Sequence, residues 1–161
     1  MERGFTWIEL LLVLAALAGL LLMAIPAMQD GVLKRQVKDG MALATIAQPG
    51  VQTIYSVAGT MPPDNKTTGI PDHDKIVSQL VKDLNVVNGA ITLTFGNNAS
   101  KALDGMTLTF RPAVVPDERA VPIAWLCHGV GVPKGMQVLG DDLTNIPDKW
   151  LPVECRGSKP Q

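Results

Sequence analysis

One carboxylate stands at the edge of a long uncharged segment. Glu9 is followed by residues 10–29, a run with no charged side chain. An ionised carboxylate loses hydration free energy at such a position, so groups of this kind are usually paired and functional. The pattern predicts ion-pair chemistry with a partner cation. A Gly4-Phe5 junction precedes this carboxylate, with Phe5 four residues before it.

Two cysteines, Cys127 and Cys155, are the second candidate for chemistry. Their spacing excludes a CxxC metal site, which leaves two buried free thiols or a disulfide. Beyond a membrane span the compartment is oxidising, and this favours the disulfide. Closing the intervening loop would stabilise the fold by about 3–4 kcal/mol in the chain-entropy model.

Several sequence features that resemble enzyme motifs do not meet the requirements of those motifs. Residues 129–135 are rich in glycine but lack a Walker A pattern. His73 and His128 have no obvious catalytic or metal-binding partners, so both are interpreted as structural or surface residues. Asp141 and Asp142 are interpreted as a solvated turn rather than a calcium site. We predict no enzyme activity, no cofactor and no metal site.

Length and composition favour one domain behind an apolar N-terminus. The chain has 161 residues, 18% of them charged, and a net charge of −1. DNA binding is therefore not indicated.

Residues 10–29 would span about 30 Å as a helix, the thickness of a bilayer core. A membrane anchor is favoured over a cleaved secretory signal, for which residues 24–28 would be the cleavage site. Pro26 would kink this helix.

Three cations, Lys34, Arg35 and Lys38, follow the apolar run. If the C-terminal domain lies outside the cytoplasm, their position opposes the positive-inside tendency.

An amphipathic helix is predicted over residues 30–57. One apolar stripe recurs at spacings of three to five residues. Pro49 and Gly50 interrupt the pattern, and a kinked helix to about Val57 is preferred over two separate helices. The stripe consists of Val32, Val37, Met41, Ala44, Ala47, Val51 and Ile54 or Tyr55.

A connecting loop is predicted over residues 58–88, with a short amphipathic helix at 73–84 inside it. Residues 90–95, 106–110 and 121–127 alternate apolar and polar side chains, which is typical of strands. We therefore predict an α+β fold, in which a long N-terminal helix packs on an antiparallel sheet of about four strands within 89–127.

The chain resembles the type IVa pilins. The resemblance rests on the Gly4-Phe5 junction with Glu9 and on five segments: residues 26–30, 37–44, 88–96, 123–127 and 150–156. It implies a leader peptide at 1–4, an N-methylated Phe5 and an assembly role for Glu9. It also implies a transmembrane and fibre-core helix at 5–29, kinked at Pro26. A globular pilin domain would follow at 30–161, its disulfide-bounded region running from Cys127 to Cys155.

The resemblance also implies a function. Prepilin peptidase would cleave and methylate the chain. Inner-membrane assembly machinery with separate ATPases would then polymerise it with identical subunits. The subunit would cross the inner membrane once, with its C-terminal domain in the periplasm, before entering an extracellular fibre. That fibre would serve adhesion, twitching motility or DNA uptake. Two alternatives stay open, a pseudopilin of a type II secretion system and a membrane-anchored periplasmic binding module.

Overall fold

The computed structural model describes residues 6–157, except for the side chains at 21–27. The chain divides into two compact units, Met1–Val32 and Leu33–Gln161. Helix α1 (Trp7–Met41) supplies the described part of the first unit and the beginning of the second. The two units are considered separately below.

The described part of the first unit is helical from Trp7 onward. Its leucines and alanines are strong helix formers, which accounts for an uninterrupted α-helical backbone. Every side chain at residues 6–20 is exposed, so the described part of this unit has no core of its own. The predicted membrane span over residues 5–29 extends beyond what the structure describes. Among the described residues, no helix combines the length and the apolarity that crossing a bilayer requires.

The helical path in the second unit is interrupted. Helix α1 ends at Met41, a 3₁₀ helix covers Ala42–Ile46, and helix α2 spans Gln48–Ala58. The path stays helical to Ala58, one residue past the predicted end, but as two α-helices joined by a 3₁₀ segment rather than as one α-helix kinked at Pro49. Pro49 explains the break, because its ring would collide with the carbonyl of Thr45 inside an α-helix. In the first turn of α2 the missing N–H of Pro49 costs little.

The buried helical stripe largely matches the sequence pattern. Leu33 is buried in place of the predicted Val32, which is 52% exposed. Tyr55 is buried, so it fills the last position of the stripe. The other buried members are Val37, Ala44, Ala47 and Val51.

The sheet is antiparallel throughout. Its strands are β1 (Val81–Val87), β2 (Ala90–Phe95), β3 (Thr107–Val114) and β4 (Ala124–Cys127), in that spatial order. A short strand, β5 (Gln137–Val138), pairs with the end of β3. The predicted α+β fold, a helix packed on a four-stranded antiparallel sheet, is confirmed.

Strand β1 corrects two predictions. Residues 58–88 are not all loop, and 73–84 do not form an α-helix. A 3₁₀ turn covers His73–Lys75, and the strand begins at Val81. The β1–β2 hairpin turns at Asn88 and Gly89, whose φ values are 49° and 80°. An Asn-Gly pair is the strongest short sequence signal for such a hairpin.

One core joins the helical stripe to the sheet. Gly40 lies against the ring of Phe95, and a Cβ at this glycine would fall 2.5 Å from the nearest ring atom. The absence of a side chain therefore allows close approach of helix and sheet. The sheet contributes buried side chains that include Val81, Leu84, Val86, Ile91, Leu93, Phe95, Leu108 and Phe110.

Candidate assembly site and disulfide-bounded region

The predicted processing residues lie at the very start of the chain. Gly4 and Phe5 fall outside the described residues, so their roles stay predictions. Glu9 lies in the first turn of α1. Pro26 lies within the α1 range, and its side chain is also outside the described part.

Thr6 and Glu9 hydrogen-bond to each other at the start of α1. The Thr6 backbone N–H and the Thr6 hydroxyl both donate to Glu9 Oε2, each at 3.0 Å. In return the Glu9 backbone N–H donates to the Thr6 hydroxyl oxygen at 3.4 Å. This is a capping box, in which a Thr and a Glu three residues later satisfy orphan donors of the first helical turn. Within a single subunit Glu9 is therefore hydrogen-bonded, but only to groups of Thr6 that carry no charge.

Around this carboxylate the surface is apolar. Trp7 and Ile8 are 74% and 70% exposed. On a soluble protein, a contiguous apolar surface of this kind marks a protein–protein or membrane interaction site. Further exposed apolar side chains of the same unit are Leu10, Leu11, Leu12, Val13, Leu14, Leu17 and Leu20.

The predicted disulfide joins Cys127 to Cys155, with Cα atoms 5.0 Å apart and a sequence separation of 28. Cys127 is the last residue of β4, and Cys155 is fully buried. The bond therefore ties the C-terminal segment to the edge of the sheet.

Polar contacts also hold the region between the cysteines. His128 Nδ1 lies 2.9 Å from Asp142 Oδ2, and His128 Nε2 lies 3.4 Å from Asp148 Oδ1. These contacts agree with the interpretation of His128 as a structural residue, and they supply the carboxylate partners that the sequence did not indicate. Asp142 is more than a solvated turn residue. Burial alone would raise its pKa, but hydrogen bonds from Thr144 and His128 outweigh this and lower the pKa of Asp142.

His73 also has a carboxylate partner. Its Nδ1 atom lies 2.6 Å from Asp83 Oδ2, across the connection into β1. The hydrogen bond and the charge of Asp83 raise the pKa of His73 above its usual 6.5. Sequence reasoning missed both histidine pairs because the partners lie ten and fourteen residues away with no periodic relation.

Asn65 is a structural residue that the sequence presented only as part of an Asn-x-Thr pattern. Its side chain is 5% exposed. The amide nitrogen donates to the carbonyls of Leu84 at 2.8 Å and Pro71 at 3.1 Å, and its oxygen accepts from the Val86 N–H at 2.6 Å. The amide thus supplies hydrogen-bond partners to backbone groups of β1 that do not pair with β2.

Within residues 6–157, no group of three or more His, Cys, Asp or Glu side chains is arranged to hold a metal ion.

Comparison with known protein families shows which family this chain belongs to. Residues 34–156 match the sequence model of the pilin family, described as a bacterial filament protein. The chain belongs to the pilin family. It is 30% identical over 165 residues to the type IV major pilin protein PilE of Neisseria gonorrhoeae, covering 97% of this chain and 95% of that relative. A second gonococcal major pilin, PilE1, is 31% identical over 164 residues, at 97% and 88% coverage. The fimbrial protein EcpC of Eikenella corrodens is 29% identical over 160 residues, at 98% and 92% coverage.

These relatives establish that this pilin is a structural subunit of a type IV pilus, and the two alternatives are not favoured. A pilin subunit polymerises with copies of itself into a surface fibre. The exposed apolar helix and the folded, disulfide-bonded unit are the two parts that such a subunit needs.

Proposed function

We propose that this pilin is made as a precursor, cleaved after Gly4 by prepilin peptidase and N-methylated on Phe5. The side-chain-free Gly4 permits close approach of a peptidase to the Gly4–Phe5 bond. Cleavage frees an amine four residues before Glu9, and it leaves Thr6 and Glu9 in the first turn of the mature helix.

Before assembly the subunit is held in the inner membrane by the apolar N-terminal segment, with the second unit in the periplasm. The observation that supports this most strongly is the exposure of every side chain at residues 6–20. An isolated helix of this composition is unfavourable in water, because its large apolar side chains stay hydrated. A bilayer covers these side chains first, and neighbouring subunits cover them in the fibre.

Glu9 then sets the axial register of the fibre. In the single subunit its Oε2 atom accepts two hydrogen bonds from Thr6. A carboxylate has about four acceptor positions, so this capping box leaves capacity for a cation. The methylated ammonium of Phe5 on a neighbouring, axially offset subunit supplies that cation. Because the pair lies among apolar side chains, a subunit in the wrong register leaves both charges unpaired, which is strongly unfavourable.

The pilin is a structural protein in this scheme and carries out no reaction itself. Inner-membrane machinery with separate ATPases supplies the force, and the fibre serves adhesion, twitching motility or DNA uptake.

Replacing Glu9 by Ala tests the register mechanism. Membrane insertion and leader cleavage should persist, because an apolar residue inserts more easily and the Gly4–Phe5 bond is unchanged. Fibre yield should fall at least about tenfold, since the neighbour's amine loses its partner. Shear fractions measured by immunoblot, with intact-mass spectrometry of the subunit, provide the readout. Glu118→Ala, which removes an exposed loop carboxylate, is the matched control. Normal numbers of full-length fibres from the Glu9 variant would disprove the mechanism.

A further inference from the structure

A basic groove lies within the second unit. It has a volume of about 490 Å³ and opens to solvent between the last turns of α1 and the C-terminal segment. Its lining residues define it: Lys34, Arg35, Lys38, Pro152, Val153, Glu154 and Arg156.

Cations dominate this groove. Four basic side chains face one carboxylate, which leaves three net positive charges. The carboxylate does not neutralise them, since Lys38 Nζ lies 3.9 Å from Glu154 Oε1 and both side chains are more than 60% exposed. Exposed pairs of this kind contribute little. The groove therefore favours an anion.

Arg156 is held in position. Its Nε–H donates to the carbonyl of Leu151 at 2.8 Å. A guanidinium has five N–H donors in a planar fork, so this bond orients the group and leaves further donors. Such a fork matches the oxygens of a phosphate.

The place of the groove in the chain narrows the choice of anion. Lys34 lies only five positions after Gln29, the end of the uncharged run. Even a fully extended chain of that length spans less than about 18 Å, whatever its conformation. Where the N-terminal segment crosses a bilayer, Lys34 thus stays close to the headgroup layer. This proximity gives a role to three cations that otherwise oppose the positive-inside tendency.

We propose that the basic groove binds the phosphate of an anionic phospholipid headgroup while the subunit waits in the membrane. This inference rests on the membrane stage of the proposed function. Val153, 78% exposed at the groove, supplies an apolar contact that suits a lipid. A long polyanion such as DNA fits less well, because Glu154 interrupts the positive surface and the chain carries a net charge of −1.

The test measures lipid selectivity around the full chain. The protein is reconstituted in phosphatidylcholine vesicles with a trace of spin-labelled phosphatidylglycerol or spin-labelled phosphatidylcholine. Electron paramagnetic resonance then gives the fraction of motionally restricted label for each. The wild-type chain should favour phosphatidylglycerol at least about threefold. Raising the salt concentration should reduce that preference, because salt screens the attraction.

Three variants sharpen the result. The triple change Lys34→Gln, Arg35→Gln, Lys38→Gln should abolish the preference, whereas Glu154→Gln should increase it. The control, Lys66→Gln with Lys75→Gln and Lys101→Gln, removes the same charge from exposed sites elsewhere and should change nothing. A cooperative thermal unfolding transition by circular dichroism confirms that each variant is folded.

The outcomes separate the two proposals. If no restricted lipid is seen with either label, the chain is not embedded, and the membrane stage of the proposed function is wrong. Restricted lipid without a phosphatidylglycerol preference, or with a preference that ignores the groove variants, overturns the groove assignment alone. Saturable binding of inorganic phosphate or duplex DNA at the groove without that preference overturns it as well.

Discussion

The two units of this pilin solve the problem of apolar surface in opposite ways. In the first unit the apolar side chains of residues 6–20 are all exposed. In the second unit the helical stripe and the sheet bury their apolar side chains in one core, and a disulfide closes its C-terminal region. The apolar side chains at residues 6–20 can therefore be buried only by contact with other molecules, whereas those of the second unit are buried in its own core.

This difference divides the functions of the subunit. A stable core lets the second unit keep its shape outside the cell without neighbours. An uncovered helix makes the first unit a poor free monomer and a good polymer element. Changes in the second unit should therefore alter stability first, and changes in the first unit should alter assembly first.

Removing the disulfide should produce a larger stability loss than removing the Asn65 amide or the His73–Asp83 pair. The double variant Cys127→Ser, Cys155→Ser should be destabilised by about 3–4 kcal/mol, because the unfolded chain regains the freedom of the closed loop. Urea unfolding followed by circular dichroism measures the loss. Equal midpoints for variant and wild type would mean that the remaining contacts of this region already determine its fold.

The buried amide of Asn65 should rank next. Asn65→Ala removes partners from Leu84, Pro71 and Val86 and leaves buried backbone groups unsatisfied. We expect destabilisation by about 2–3 kcal/mol in the same urea experiment. Asn98→Ala is the matched control, since Asn98 lies exposed in a turn and should change stability by less than about 0.5 kcal/mol. Equal stability losses in the two variants would show that the Asn65 hydrogen bonds do not stabilise β1.

The His73–Asp83 pair should make the smallest of these three contributions to stability. Asp83 raises the pKa of His73, so the protonated form is favoured in the folded state. The stabilisation is fully present below about pH 6.5 and is lost as the pH rises through the raised folded-state pKa. An NMR titration of the His73 ring should show this pKa, and Asp83→Asn should return it towards 6.5. Asp104→Asn, at an exposed carboxylate that pairs with Lys82, should leave the His73 titration unchanged.

The fold was predictable where one periodicity held over many residues. The helical stripe and β2 needed no more than spacing and residue type, whereas the disulfide also needed the argument that the compartment beyond a membrane span is oxidising. Strand β1 was misassigned because Ile76, Leu80 and Leu84 recur at helical spacing, although residues 81–87 form a strand. The Asn88-Gly89 turn was the signal that should have decided the question, because it defines a hairpin whose first strand ends at Val87.

The candidate site was only partly predictable. Glu9 was identified because it borders an uncharged run. The Thr6-x-x-Glu9 spacing is also typical of a capping box, and this signal was missed. The pairs of His73 and His128 depend on how distant loops fold back, so no local pattern indicates them. Asn65 was visible only as a common three-residue pattern, and its burial follows from the position of β1.

The most direct test of the division between the units is to separate them. A chain of residues 33–161 should be a monomer by size-exclusion chromatography and should melt cooperatively with the Cys127–Cys155 bond formed. When it is coexpressed with the full chain, mass spectrometry of purified fibres should find only the full-length form. A fragment that fails to fold would show that the second unit depends on the first. A fragment that enters fibres would place the assembly determinants outside the N-terminal helix and contradict the account.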